Sequence, residues 1–187
     1  MTRIDLASAI AVFGSGDPQE GGREYRLARD VGRRIAELGY ALVNGGYGGT
    51  MAASARGAVE AGGRVLGVTC TAWKSRANPY VTNEIRTDSL LQRMEVLIAE
   101  GRSGYVCLPG ATGTLAELAH VWELLCKGLL PRRPLVCVGE FWRPVADLMA
   151  STRDSSRGFL DFVEDAEGLG RHFPRVRPEP RLAGGAP

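Results

Sequence analysis

The sequence predicts a doubly wound α/β domain, a parallel sheet with helices on both faces. Three observations predict it. Short apolar runs at residues 8–13, 40–43, 64–68, 104–108 and 135–138 lack polar alternation, as strands buried on both faces require. Segments with apolar residues at helical spacing lie between them. Glycine-rich turns follow the strands at residues 14–16, 45–50 and 109–114. In an open α/β sheet such turns lie at the carboxyl ends of the strands, where ligands bind, so the three should converge on one crevice.

The elements follow in order. Residues 1–7 read as a short leader. The strand at 8–13 ends in Gly14-Ser15-Gly16, and 17–22 is a polar loop. From 23 to 38, Ala28, Val31, Ile35 and Leu38 have helical spacing, and Gly39 is placed to cap the end. The strand at 40–43 runs into Asn44-Gly45-Gly46-Tyr47-Gly48-Gly49-Thr50, the densest glycine cluster in the chain. An Ala-rich helix over 51–61 and a third strand at 64–68 follow. Residues 69–86 have no clear period and are expected to be an ordered loop. Thr87 or Asp88 is expected to cap a helix with Leu90, Leu91, Met94, Leu97 and Ile98 on one stripe, bordered by Arg93.

The strand at 104–108 enters Pro109-Gly110-Ala111-Thr112-Gly113-Thr114-Leu115-Ala116-Glu117. The helix there is expected to bury Leu115, Leu118, Ala119, Trp122 and Leu125. That phase places Glu117 nearly opposite the stripe. A fifth strand at 135–138, a helix over 142–150 with Pro144 in its first turn, a sixth strand at 159–163 and a short helix through 169 complete a single domain over 1–173. Residues 174–187, rich in Pro, Arg, Gly and Ala, read as a disordered tail.

Composition narrows the function classes. The 187 residues are 44% hydrophobic and 24% charged, ordinary for one globular domain. A net charge of +2 gives no electrostatic footprint for nucleic acid or a membrane surface. Lys74 and Lys127 are the only lysines, which restricts Schiff-base chemistry to two positions. Cys70, Cys107, Cys126 and Cys137 form no C-x-x-C pair and read as thiols of a cytoplasmic protein. No secretory leader or membrane-spanning stretch is recognised. His120 and His172 stand alone, so no metal centre and no cofactor are expected.

Residues 105–117 form a strand, a glycine-rich turn and a helix start. Unpaired backbone N–H groups and the positive end of the helix dipole make such a junction an anion site. Glu117 places a carboxylate beside it. The common nucleotide motifs are missing. Gly14-x-Gly16 has no third glycine at the required offset, Asn44 stands where an NAD-binding domain carries an acid, and no Gly-Lys-Ser/Thr ends a phosphate loop.

These residues resemble the LOG family, whose characterised members are cytokinin riboside 5′-monophosphate phosphoribohydrolases. Residues 109–117 are similar to its Pro-Gly-Gly-x-Gly-Thr-x-x-Glu motif, with Ala111 in place of the second glycine. Gly45-Gly46-Tyr47-Gly48-Gly49-Thr50-Met51 is similar to its second signature. Arg93 looks like the family's arginine before the motif strand, with Arg86 and Arg102 as alternatives. The resemblance covers about residues 8–150.

It implies a Rossmann-like nucleotide-binding domain that cleaves the N-glycosidic bond of AMP or a modified AMP, as a homodimer. Glu117 and Arg93 would be catalytic. Pro109, Gly110, Thr112, Gly113 and Thr114 would bind phosphate. Gly14, Ser15, Gly16, Asn44, Gly45, Gly46, Gly48, Gly49 and Thr50 would line the ribose and base. The alternative is a binding protein of the same fold that carries a nucleotide or the molybdenum cofactor without turnover. Thr114-x-x-Glu117 also reads as a capping box. Trp73 and Tyr80 offer rings for base stacking or for loop anchoring.

Overall fold

The structure, a computed structural model, describes residues 7–176. Most of the leader (1–6) and residues 177–187 of the expected tail lie outside them. Among the described residues, seven strands form one parallel sheet in the order β4-β3-β2-β1-β5-β6-β7. They are β1 (Ala9–Phe13), β2 (Ala41–Asn44), β3 (Val65–Cys70), β4 (Asn83–Thr87), β5 (Gly104–Cys107), β6 (Leu135–Val138) and β7 (Asp161–Val163). The five α-helices are α1 (Arg23–Glu37), α2 (Gly49–Glu60), α3 (Leu90–Glu100), α4 (Thr112–Cys126) and α5 (Arg143–Thr152). The fold is the doubly wound α/β domain expected.

Two apolar layers enclose the sheet, because alternate residues of each strand face opposite sides. Ile10 and Val12 pack with Val31 and Ile35 of α1 and Ala53 and Ala58 of α2. Ala11 and Phe13 pack with Leu97 of α3, Leu118, Val121 and Trp122 of α4, and Ala146 of α5. The chain winds outward from β1 to β4 and then returns to pair β5 on the other side of β1, in the register Phe13↔Cys107. The connections leaving β1 and β5 therefore diverge, and a crevice opens between them.

Several local expectations are corrected. The segment 69–86 is not one loop: β3 continues to Cys70, and residues 83–87 form β4 at the sheet edge. Its sequence, Asn-Glu-Ile-Arg-Thr, is half exposed, so it lacks the apolar run that marks the inner strands. The cap of α3 is Ser89, which accepts from the Gln92 N–H at 3.2 Å, while the Gln92 side chain accepts from the Asp88 N–H at 2.8 Å. Thr87 donates its hydroxyl to the Thr69 carbonyl instead. The last strand begins at Asp161, since Phe159 ends a 3-10 turn.

Residues 174–176 are tied to α1. Tyr40 donates to the Pro174 carbonyl at 2.7 Å, and the Val176 N–H donates to the Leu38 carbonyl at 2.8 Å. Among the described residues no helix is long and apolar enough to cross a membrane.

The Ala-rich composition of α2 has a packing consequence. Helix α1 crosses it so closely that a Cβ at Gly32 would stand 1.9 Å from the Ser54 carbonyl oxygen. Gly32→Ala is therefore expected to destabilise the fold by about 1–3 kcal/mol, despite its better helix propensity. Denaturant unfolding measures this, and an unchanged midpoint would contradict the close crossing.

Candidate active site

The site is built first on β5. Its ladder continues one residue beyond the strand, where Leu108 N–H donates to the Phe13 carbonyl at 2.9 Å. The Leu108 carbonyl accepts from the Trp142 indole N–H at 2.9 Å, which fixes the chain entering Pro109. Ala111 is the N-cap of α4, with φ −92°, and no side chain caps the helix. That conformation is open to any residue, so alanine stands there without strain. The capping box read at Thr114 and Glu117 is not formed: both residues are already helical, and Thr114 is buried with Gly110 against it. The first N–H groups of α4 thus have no side-chain acceptor from the cap.

The phase of α4 differs from the expectation. Its buried residues are Thr114, Leu118, Val121, Trp122 and Leu125. Leu115 and Ala119, expected in the core, are exposed. Glu117 is three residues from Thr114 and four from Val121, so it lies on the inward stripe rather than opposite it. The same holds for Arg93, which lies one turn before Leu97 and is only 7% exposed. Leu90 and Leu91, by contrast, are exposed. Both helices turn an ionisable residue inward where the sheet ends.

Arg93 is held from several sides. Its Nε donates to the Val68 carbonyl within β3 at 2.7 Å. Its Nη1 stands 3.6 Å from Glu117 Oε1, an ion-pair contact longer than a hydrogen bond. The guanidinium carbon lies 5.6 Å from the ring centres of both Tyr47 and Trp73. A Cβ at Gly45 would fall 1.8 Å from Nη2, so glycine there is the condition for Arg93 to reach the site. Arg86 is exposed on β4, and Arg102 pairs with Glu100.

A cavity of about 480 Å³ opens over this pair. Of the residues read from sequence, Gly14, Ser15, Gly16, Arg93, Gly113, Thr114 and Glu117 line it together. Asn44, Gly45, Gly46, Gly48, Gly49, Thr50, Pro109, Gly110 and Thr112 do not. Asn44 is buried and braces the turn after β2: its amide donates to the Met51 carbonyl, and its oxygen accepts from the Gly46 N–H. Thr50 donates its N–H and hydroxyl to the Ser15 carbonyl, joining the first two glycine turns.

Trp73, one of the two rings offered for base stacking, also lines the cavity, and Asp17, Tyr47, Met51, Leu90 and Met94 line it without having been read as site residues from the sequence. Tyr47 was signalled by being the one bulky residue among four glycines. Tyr80 lies elsewhere, under the Arg56 guanidinium.

Burial pushes the Glu117 carboxyl up from its ordinary 4.5 to about 7, against the downward pull of Arg93. Beneath it on the sheet, Cys107 and Cys137 are register partners on β5 and β6. Both are buried free thiols, and burial also pushes the Cys107 thiol up. Among the described residues no group of His, Cys, Asp and Glu is placed to hold a metal ion.

Residues 7–132, from before β1 to beyond α4, match the SLOG cluster4 family. The chain belongs to that family. An uncharacterised Archaeoglobus fulgidus protein is 38% identical over 110 residues, 59% of this chain and 70% of that one. A Rhodococcoides fascians protein named cytokinin riboside 5′-monophosphate phosphoribohydrolase is 32% identical over 143 residues, 73% of this chain and 71% of that one. Among solved structures, the molybdenum cofactor binding protein of Rippkaea orientalis superposes with a TM-score of 0.73 at 21% identity. The match covers 88% of this SLOG chain and 93% of that one. That likeness is one of fold.

The raised Glu117 carboxyl makes stability depend on pH. The folded state holds the Glu117 proton more tightly than the unfolded chain, so stability is lost as pH rises from about 4.5 to about 7. Relative to Glu117→Gln, the wild type is expected to lose on the order of 3 kcal/mol across that window. Denaturant titrations at a series of pH values measure the difference. Parallel curves would contradict the raised carboxyl.

Proposed function

We propose that this SLOG protein hydrolyses the N-glycosidic bond of a nucleoside 5′-monophosphate, AMP or a modified AMP, to free base and ribose 5-phosphate. The observation that carries the proposal is the Arg93–Glu117 pair beside the uncapped start of α4, within one cavity. The relative named a phosphoribohydrolase supports it.

The first N–H groups of α4, with Gly113 and Thr114, bind the phosphate. The sugar then lies by Glu117. As the bond from C1′ to the base breaks, its electron pair leaves with the base nitrogen and positive charge builds on the ribose. The Glu117 carboxylate opposes that charge and takes the proton of the attacking water. Water's oxygen bonds to C1′, and its second proton remains on the anomeric hydroxyl. The proton held by Glu117 returns to the departing base. Arg93 orients Glu117 and offers its remaining N–H donors to phosphate or ribose oxygens.

This protein is further proposed to act as a homodimer. An apolar groove of about 420 Å³ between α4 and α5, lined by Leu115, Trp122, Val145 and Met149, supports a contact there. Light scattering is expected to give twice the chain mass, and Met149→Asp to shift it towards the monomer.

The function is tested on a panel of nucleoside 5′-monophosphates, with free base and ribose 5-phosphate as the readouts. Glu117→Ala is expected to lower kcat by about 10²–10⁴-fold while binding persists. Because the ionised carboxylate is required, kcat/KM is expected to rise through about pH 7 and then level. Tight binding with no base release across the panel would leave a carrier without turnover.

A further inference from the structure

Trp73 is the unexplained residue of the cavity. It stands on the exposed segment 72–76 and lines the cavity while remaining 40% exposed. The other two tryptophans, Trp122 and Trp142, are 6% and 4% exposed. An indole that served only to anchor its loop would be expected to be buried as those two are. This one is nevertheless held in place. Its N–H on the backbone donates to the Cys70 carbonyl at 3.3 Å, and its ring meets Tyr47 edge-on, with centres 5.7 Å apart and planes at 85°. Tyr47 is itself fixed, because its hydroxyl accepts from the Cys70 N–H at 2.8 Å and donates to the Cys70 carbonyl at 3.2 Å.

Arg93 relates this ring to the reacting end of the cavity. The guanidinium lies 5.6 Å from the Trp73 ring centre and 3.6 Å from Glu117. A nucleotide with its phosphate on α4 and its C1′ by Glu117 projects its base from that same carbon. The cavity is lined in addition by Tyr47, Met51, Trp73, Ser75, Leu90 and Met94. Thioethers, Leu and rings suit the faces of a flat heterocycle. Stacking on an aromatic side chain needs no particular edge chemistry.

We propose that Trp73 is the platform on which the base stacks, and so a specificity-determining residue for ligands that carry a flat aromatic group on ribose 5-phosphate. This rests on the nucleoside monophosphate reading of the site.

Tryptophan fluorescence of the Glu117→Gln protein, in which bound nucleotide would stay intact, tests the platform directly. AMP is expected to quench the emission, and ribose 5-phosphate to bind without doing so. Adding Trp73→Phe is expected to abolish most of the quench, since the remaining tryptophans are buried. In the otherwise wild-type protein, Trp73→Ala is expected to raise KM for AMP roughly 10- to 100-fold. The constant for inhibition by ribose 5-phosphate should stay unchanged, and Trp73→Phe should retain most of the affinity. Equal weakening of AMP and ribose 5-phosphate would overturn the platform and leave a packing role through Arg93. No effect on either would also overturn it. The two proposals fail separately: base release with a silent Trp73 defeats the platform alone, and a quench by AMP without base release defeats the hydrolase alone.

Discussion

A carboxyl group buried against a guanidinium is the constraint on which this molecule turns. Removing Glu117 from water disfavours its charged form, and among the described residues only Arg93 offsets that cost. The 3.6 Å separation lacks a hydrogen bond, so the attraction is incomplete and desolvation prevails. The result is an acid that changes charge near neutrality, inside a cavity that can also hold an anion. Much of the surrounding sequence fixes the two partners. Leu97 and Ile98 seat α3, the stripe from Leu118 to Leu125 seats α4, and the Val68 carbonyl holds the guanidinium.

Topology places the pair where it is useful. Because the chain leaves β1 on one side and returns to it on the other, the turns after β1 and β5 separate at their carboxyl ends. The turn after β2 supports rather than lines this opening. Asn44 locks its shape, Thr50 ties it to the Ser15 carbonyl, and Gly45 leaves the path that Arg93 occupies. Of the glycines read in sequence as lining the ribose and base, Gly45 is here the room that one arginine needs.

The sheet was legible because its inner strands are apolar on both faces and their turns are rich in glycine. Strand β4 was not, since Asn-Glu-Ile-Arg-Thr holds a single large apolar residue and reads as a loop. The ionisable residues of the site were legible by type but not by orientation. Leu115 and Ala119 suggested a core stripe displaced by one residue, and the true stripe includes Thr114 and Glu117. Apolar side chains that face the groove beside α5 are indistinguishable, in sequence, from those that face the sheet. The contacts of Tyr47 and Trp73 with Arg93 join three separate segments, and no local pattern encodes such a meeting.

The ionisation of Glu117 is open to direct observation. Carbon-13 NMR of glutamate-labelled protein, with the Glu117 signal assigned by its loss in Glu117→Gln, follows that carboxyl through a pH titration. A midpoint of about 7 is expected. A midpoint near the ordinary 4.5 would contradict it, and would mean that the carboxylate is solvated rather than held buried against Arg93.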